Sequence, residues 1–362
     1  MKKLICAVMA IVTAVFLTYS TDVKAGQIGT SAQCAILMDA DSGEILYEKN
    51  ADKKCAVASI TKIMTAVIAL EYAAENDKAV RFTPEMAAEG SSMYLKNGEI
   101  LKLSEIVKGM MAVSGNDAAN AAAFTVAGSI EGFSALMNEK AKQLGMKNTN
   151  FVTPSGLDDE NHYSTARDMA LLCCYAMKND DFKKIVSQKS IDVSYIFPEG
   201  KTQTCVNHNK LLSTYKGCIG IKTGFTKKAG RTLTSCAERD GVRLIAVTLD
   251  DGNDWNDHKE LFDYGFSLYE SRTLVKMNDT YKLPVVGSDI DYIEVHPEKD
   301  CSVPLRKGST EIPVRKIYMP HFVYAPVGKG AYAGEVCYYS GKRKLLSVRL
   351  MSGTQAEYCN GQ

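Results

Sequence analysis

The chain has no Cys-x-x-Cys pair, one tryptophan, five histidines and no excess of either charge, since 43 basic and 42 acidic side chains leave a formal +1. Each shortage removes a class of function. Without paired cysteines or a Cys/His cluster at ligand spacing, neither a zinc site nor any other metal or cofactor is expected. A near-neutral chain offers no electrostatic footprint for nucleic acid. No internal repeat or low-complexity tract is evident, and after the first residues no apolar run reaches the roughly 18–20 residues that cross a bilayer. What remains is an ordinary globular composition, 46% hydrophobic and 23% charged. Its 362 residues suffice for two domains and a sizeable core.

The start of the chain is of another kind. Lys2 and Lys3 precede an apolar run from Leu4 to Leu17, and a polar stretch ends at Val23-Lys24-Ala25. That three-part layout is a secretory signal peptide, with cleavage expected after Ala25. The mature protein is then secreted and works outside the cytoplasmic membrane, in the wall or on the membrane's outer face. Loss of Lys2, Lys3, Lys24 and Asp22 takes the net charge to about −1. Of the eleven cysteines, Cys6 goes with that segment. An even number is left, which in an exported chain permits disulfides. Cys173, Cys218 and Cys236 sit in apolar runs and read equally well as buried free thiols.

The chemistry gathers at three places. In Ala58-Ser59-Ile60-Thr61-Lys62, a serine stands three residues ahead of a lysine where an apolar, helix-compatible run begins. Positions i and i+3 share a helix face, so the Lys62 amine can take the Ser59 proton if burial lowers its pKa. Ser213-Thr214-Tyr215-Lys216 has the same spacing in a polar stretch, so the spacing alone decides nothing. Ser114-Gly115-Asn116 joins two helical segments, Leu103 to Val113 and 118–127. It offers a second hydroxyl to relay a proton and an amide to hold a carbonyl. Lys222-Thr223-Gly224 lies in a strand, Gly217 to Thr226, followed by strands Arg231–Glu238 and Val242–Leu249 around Asp240-Gly241. Its lysine and threonine can bind a carboxylate, and its glycine lets a peptide backbone approach the strand edge.

Elsewhere the pattern is structural. Residues 35–39 and 44–48 flank an Ala-Asp-Ser-Gly turn and read as a hairpin, and 131–146 as an amphipathic helix. Ser164 or Thr165 caps a helix running through Met177, His162 is structural, and Trp255–Phe262 opens a helix that closes on the sheet. From about Val275 short β-rich runs replace the helical texture. The expected division is 1–25 signal peptide, 26–275 main domain and 276–362 small β-rich domain. The final eleven residues lack the apolar face of a membrane-lying helix, so attachment by such a helix is not expected.

Taken in order, Ser59-x-x-Lys62, Ser114-Gly115-Asn116 and Lys222-Thr223-Gly224 resemble Ser-x-x-Lys, Ser-Asp-Asn and Lys-Thr-Gly, the three marks of penicillin-binding proteins and class A β-lactamases. The neighbouring residues, Asn116-Asp117-Ala118, Tyr163 to Asp168 and Phe225-Thr226, resemble low-molecular-weight penicillin-binding proteins, the serine-type D-alanyl-D-alanine carboxypeptidases, over residues 30–275. The resemblance implies an α+β fold of the β-lactamase/transpeptidase kind, with an antiparallel sheet and a helical cluster, followed by a small all-β domain. It implies Ser59 as nucleophile and Lys62 as base. Ser114 would relay the proton, Asn116 would hold the substrate amide, and Lys222 and Thr223 would bind the terminal carboxylate. The N–H groups of Ser59 and Phe225 would form the oxyanion hole. Several relatives carry histidine at the position of Phe225, so a side-chain role there is not carried over. The implied partners are peptidoglycan stem peptides ending in D-Ala-D-Ala, with β-lactams as inhibitors. A β-lactamase would need a glutamate-held water, for which Glu160 is the candidate. A non-enzymatic penicillin sensor would need a membrane-spanning region.

Overall fold

The computed structural model describes residues 28–310 and 312–359. The expected signal segment, with Cys6, lies outside them. The main sheet has five antiparallel strands in the order β2-β1-β9-β8-β7. These are β1 (Cys34–Asp39), β2 (Ile45–Lys49), β7 (Cys218–Thr226), β8 (Gly230–Arg239) and β9 (Val242–Leu249), with short β3 (Ala79–Arg81), β4 (Ile100–Lys102), β5 (Ser190–Ser194) and β6 (Thr202–Val206) forming two outlying ribbons. The central strands are apolar on both faces because both faces are covered. Ile36, Met38, Ile245 and Val247 point into one core; Leu37, Leu244 and Ala246 point into the other.

The first core belongs to the helical cluster. A 3₁₀ turn, Ala58–Thr61, leads into α1 (Lys62–Glu75), every residue of which from Lys62 to Leu70 is buried. Only Thr65 interrupts the apolar run from Ile63 to Leu70, so this part of the helix has no solvent face and runs through the centre of the cluster. Around it lie α2 (Leu103–Val113), α3 (Asn116–Ala127), α4 (Ile130–Gln143), α5 (Ala166–Ala176) and α6 (Asp180–Val186). Thr165, rather than Ser164, caps α5, its hydroxyl accepting from the Asp168 N–H at 3.0 Å. Four-residue α7 (Leu211–Thr214) precedes β7, and α8 (Asp254–Ser267) covers the second face through Leu261 and Phe262.

The remaining strands build a separate β unit with its own core around Leu283, Ile293, Val336 and Leu350. They are β10 (Tyr269–Val275), β11 (Tyr281–Val286), β12 (Tyr292–Pro297), β13 (Cys301–Arg306), β14 (Val314–Tyr318), β15 (Val323–Tyr324), β16 (Tyr332–Ser340) and β17 (Arg343–Ser352). Six form a sheet in the order β14-β16-β17-β12-β11-β15, and β10 pairs with β13. Two contacts tie this unit to the β1–β2 hairpin: the Tyr269 hydroxyl donates to Asp39 at 2.6 Å, and Arg306 pairs with Glu44. Among the described residues no helix is long and apolar enough to cross a membrane.

Candidate active site

Ser59 sits in the 3₁₀ turn just ahead of α1, where residues three apart eclipse one another. Its Oγ and the Lys62 Nζ are accordingly 2.9 Å apart. Ala58, with φ of +50°, turns the chain sharply into this position, a strained conformation for a residue with a Cβ. Two close approaches hold the turn. At Gly156, a Cβ would fall 1.9 Å from the Ala58 carbonyl. At Gly224 on β7, one would fall 2.9 Å from the Ser59 N and 2.5 Å from Thr232 Oγ1. Gly224 therefore lets β7 pack against the nucleophile turn itself.

Lys62 is fully buried, and its Nζ lies 2.7 Å from both Asn116 Oδ1 and the Ser155 carbonyl oxygen. Burial, and then the charge of Lys222, push its pKa well below the ordinary lysine value, against an opposing pull from Asp117. Those two carbonyl oxygens can only accept, so a neutral amine spends its two N–H bonds on them. Its lone pair then has one place left to point, the Ser59 hydroxyl. That is the arrangement of a general base and its nucleophile.

Asn116 is engaged at both ends, its Nδ2 donating to the Glu89 carbonyl at 2.6 Å. It orients Lys62 and keeps one amide N–H for a ligand. Ser114, in the left-handed region with φ 61°, ends α2 and shares the cleft with Ser59. Lys222 is 2% exposed and donates to the Thr223 carbonyl at 3.0 Å; burial alone lowers it to about 7. The cleft, about 410 Å³, is lined by Ser59, Ser114, Thr223, Gly224 and Phe225 together with Ser91, His208, Arg231, Asp254 and Trp255. Two larger hollows elsewhere are lined by none of Ser59, Lys62, Ser114, Asn116 or Lys222.

Sequence reasoning missed three parts of this site. Asp117 accepts from the N–H groups of Met93 and Leu95, holding the loop beside Ser114-Gly115-Asn116. The Ser155 carbonyl on Lys62 is a backbone group without a residue signature. Arg231 meets Asp254 through two hydrogen bonds, 2.6 and 3.1 Å, and lies 5.6 Å from the Trp255 ring. It stands directly across the β7–β8 ladder from Phe225, a register that places it on the site. His162 is a structural residue, as expected: Nδ1 accepts from the Val152 N–H at 3.0 Å, and Nε2 faces Thr61 Oγ1 at 2.9 Å. Ser213, Lys216 and Glu160 are exposed and away from the cleft lining.

Comparison with known proteins agrees with this geometry. The family profile described as D-alanyl-D-alanine carboxypeptidase matches residues 21–253, and that of the penicillin-binding protein 5 C-terminal domain matches 269–358. The chain is 36% identical to the D-alanyl-D-alanine carboxypeptidase DacF of Bacillus subtilis, over 86% of this chain and 82% of that one. It is 30% identical to DacA of Haemophilus influenzae, over 88% and 84%. Among solved structures, the carboxypeptidase DacD of Francisella tularensis superposes with a TM-score of 0.65 at 27% identity, over 94% of this chain and 97% of that one. A variant of the Streptomyces K15 DD-transpeptidase gives 0.64 at 30%, over 67% of this chain and all of its own.

Proposed function

Since the chain belongs to the D-alanyl-D-alanine carboxypeptidase family of penicillin-binding proteins, we propose that it removes the terminal D-alanine from peptidoglycan stem peptides through an acyl-enzyme on Ser59. The observation that carries this reading is the buried Lys62 amine, held by Asn116 Oδ1 and the Ser155 carbonyl, 2.9 Å from Ser59 Oγ. Ser59 attacks the carbonyl between the two D-alanines, and its proton passes to Lys62. The N–H groups of Ser59 and Phe225 receive the oxyanion, each donor contributing roughly 3–4 kcal/mol in comparable sites. Lys62 passes that proton to Ser114 as Ser114 hands its own to the departing D-alanine nitrogen, which leaves Lys62 neutral. Water then attacks the acyl-enzyme with Lys62 again as base. The carboxylate of the leaving residue lies against Lys222 and Thr223, and the remaining N–H of Asn116 faces the stem-peptide amide.

Penicillins present a carboxylate and a strained amide to the same groups, so they acylate Ser59. We place the reaction outside the cytoplasmic membrane, on the wall, after removal of residues 1–25. We set the boundary between catalytic and C-terminal domains after Leu268, since β10 pairs with β13 rather than with the main sheet. This lies a little before the change of texture near Val275. Incubation with a pentapeptide ending in D-Ala-D-Ala should release free D-alanine. Labelling by a fluorescent penicillin should vanish in Ser59→Ala and persist in Ser213→Ala. Labelling that survives Ser59→Ala would sink the nucleophile assignment.

A further inference from the structure

Cys34 and Cys55 face each other at the base of the segment that carries Ser59. Cys34 opens β1 and is fully buried; Cys55 lies four residues before Ser59, partly open to solvent. Both are free thiols, and their sulfurs are 3.5 Å apart. About 1.5 Å of approach separates them from a bonded S–S length near 2.05 Å. Both backbones are already fixed. Cys34 pairs with Leu249 in the β1–β9 ladder, and Cys55 exchanges two hydrogen bonds, 2.8 and 3.0 Å, with Ser164. Side-chain rotation about the two Cα–Cβ bonds is the motion that would bring the sulfurs together. Cys174, Cys218 and Cys337 differ: their thiols contact Met38, the Gly220 carbonyl and Ser347.

We propose that Cys34 and Cys55 close into an intrachain disulfide when the protein meets a small-molecule disulfide oxidant, and that this bond pins the Ser59 segment to the sheet. The bond itself stands independently of the peptidase reading; only the acylation readout of its pinning role rests on that reading. Cys55 reacts first, because solvent reaches it. The neighbouring Cys34 thiol, and then Lys53, also hold it down to about 7, while Cys34 is pushed up. A thiol in that range is substantially thiolate at neutral pH. The Cys55 thiolate attacks the oxidant's S–S bond, forming a mixed disulfide and releasing one thiolate. Cys34 Sγ then attacks the Cys55 sulfur and expels the second thiolate. The Cys34 proton, with one from solvent, leaves two reduced thiols. Two protein thiols are oxidised to one disulfide, and one disulfide is reduced.

The test equilibrates the mature protein with oxidised glutathione, alkylates it under denaturing conditions and digests it. The expected product is a peptide pair joined through Cys34 and Cys55, lighter by two hydrogens than the reduced peptides and separated by dithiothreitol. Alkylation of both cysteines, or glutathione left on Cys55 beside an alkylated Cys34, overturns the proposal. A second arm heats oxidised and reduced protein and reads residual penicillin acylation. The oxidised form should hold activity to a midpoint about 5 °C or more higher. That gap should be absent in Cys55→Ser, a change at a partly exposed position. Equal midpoints in the wild type, or a gap that persists in the variant, removes the pinning role.

Discussion

Lys222 is buried beneath the cleft with a neighbouring backbone carbonyl as its hydrogen-bond acceptor. Burying an ammonium without an acid beside it is expensive, and the lowered value of about 7 expresses that expense. In the proposed reaction the substrate carboxylate supplies that counter-ion. The positive charge of Lys222 also helps to hold Lys62 neutral. In the proposed reaction one amine then serves binding and the other proton abstraction. Between about 7 and the unfolded value near 10.4, the unfolded chain binds a proton that the folded chain does not. The folded protein therefore gains stability from this residue's titration as pH rises through that window. The burden of Lys222 is fully present below about pH 7. Lys222→Met should accordingly raise stability, by on the order of 4 kcal/mol near neutrality, with the gain fading towards pH 10. It should slow penicillin acylation by roughly a hundredfold, the usual scale for a lost charged contact to a ligand. Urea unfolding from pH 6 to 10 and acylation rates on the same preparation check both. A destabilised variant would mean that Lys222 supports the fold.

At the scale of elements, the site depends on how closely β7 meets the turn ahead of α1. Gly224→Ala inserts a methyl group between Thr232 and the Ser59 N–H, so the turn must move by a few tenths of an ångström or more. A nucleophile displaced towards an ångström costs about a hundredfold. Acylation should fall by that order while the protein stays folded. An acylation rate within threefold of wild type would show that this glycine does not set the spacing. The elements that make the site were legible because their signals are local. Ser59 and Lys62 are three residues apart, Asp240-Gly241 marks the β8–β9 turn, and α1 is nearly all apolar from Ile63 to Leu70. What crosses the chain was not legible. Nothing in the order of residues brings the Ser155 carbonyl to Lys62, and the Arg231–Asp254 contact exists only once β8 and α8 are assembled. Strand β10 escaped because four of its seven residues are exposed, which erases the alternation that identifies a half-buried strand. Strand β13 contains Pro304, which argues locally against a strand and is tolerated in this two-stranded ribbon.

In the whole molecule, the catalytic cores and the C-terminal core are separate sets of side chains. The DD-transpeptidase of Streptomyces K15 is spanned in full by 67% of this chain, so a relative of catalytic-domain size exists alone. A fragment ending at Leu268 should fold and be acylated by penicillin within about threefold of the full-length rate, since the residues lining the cleft all precede that point. It should also unfold at a lower temperature, through loss of the Tyr269–Asp39 and Arg306–Glu44 contacts. Loss of acylation in a folded fragment would assign the second domain a part in the chemistry.

Strand β7 ends the main sheet, with β8 on one side and the cleft on the other. A sheet margin of this kind can recruit the strand of another molecule, and most proteins blunt theirs with charge, proline or a covering segment. This one must stay open for a peptide to lie along it, so the usual safeguards are restricted. The exposed amines of Lys227 and Lys228, in the turn just past β7, are a safeguard that the enzyme can keep.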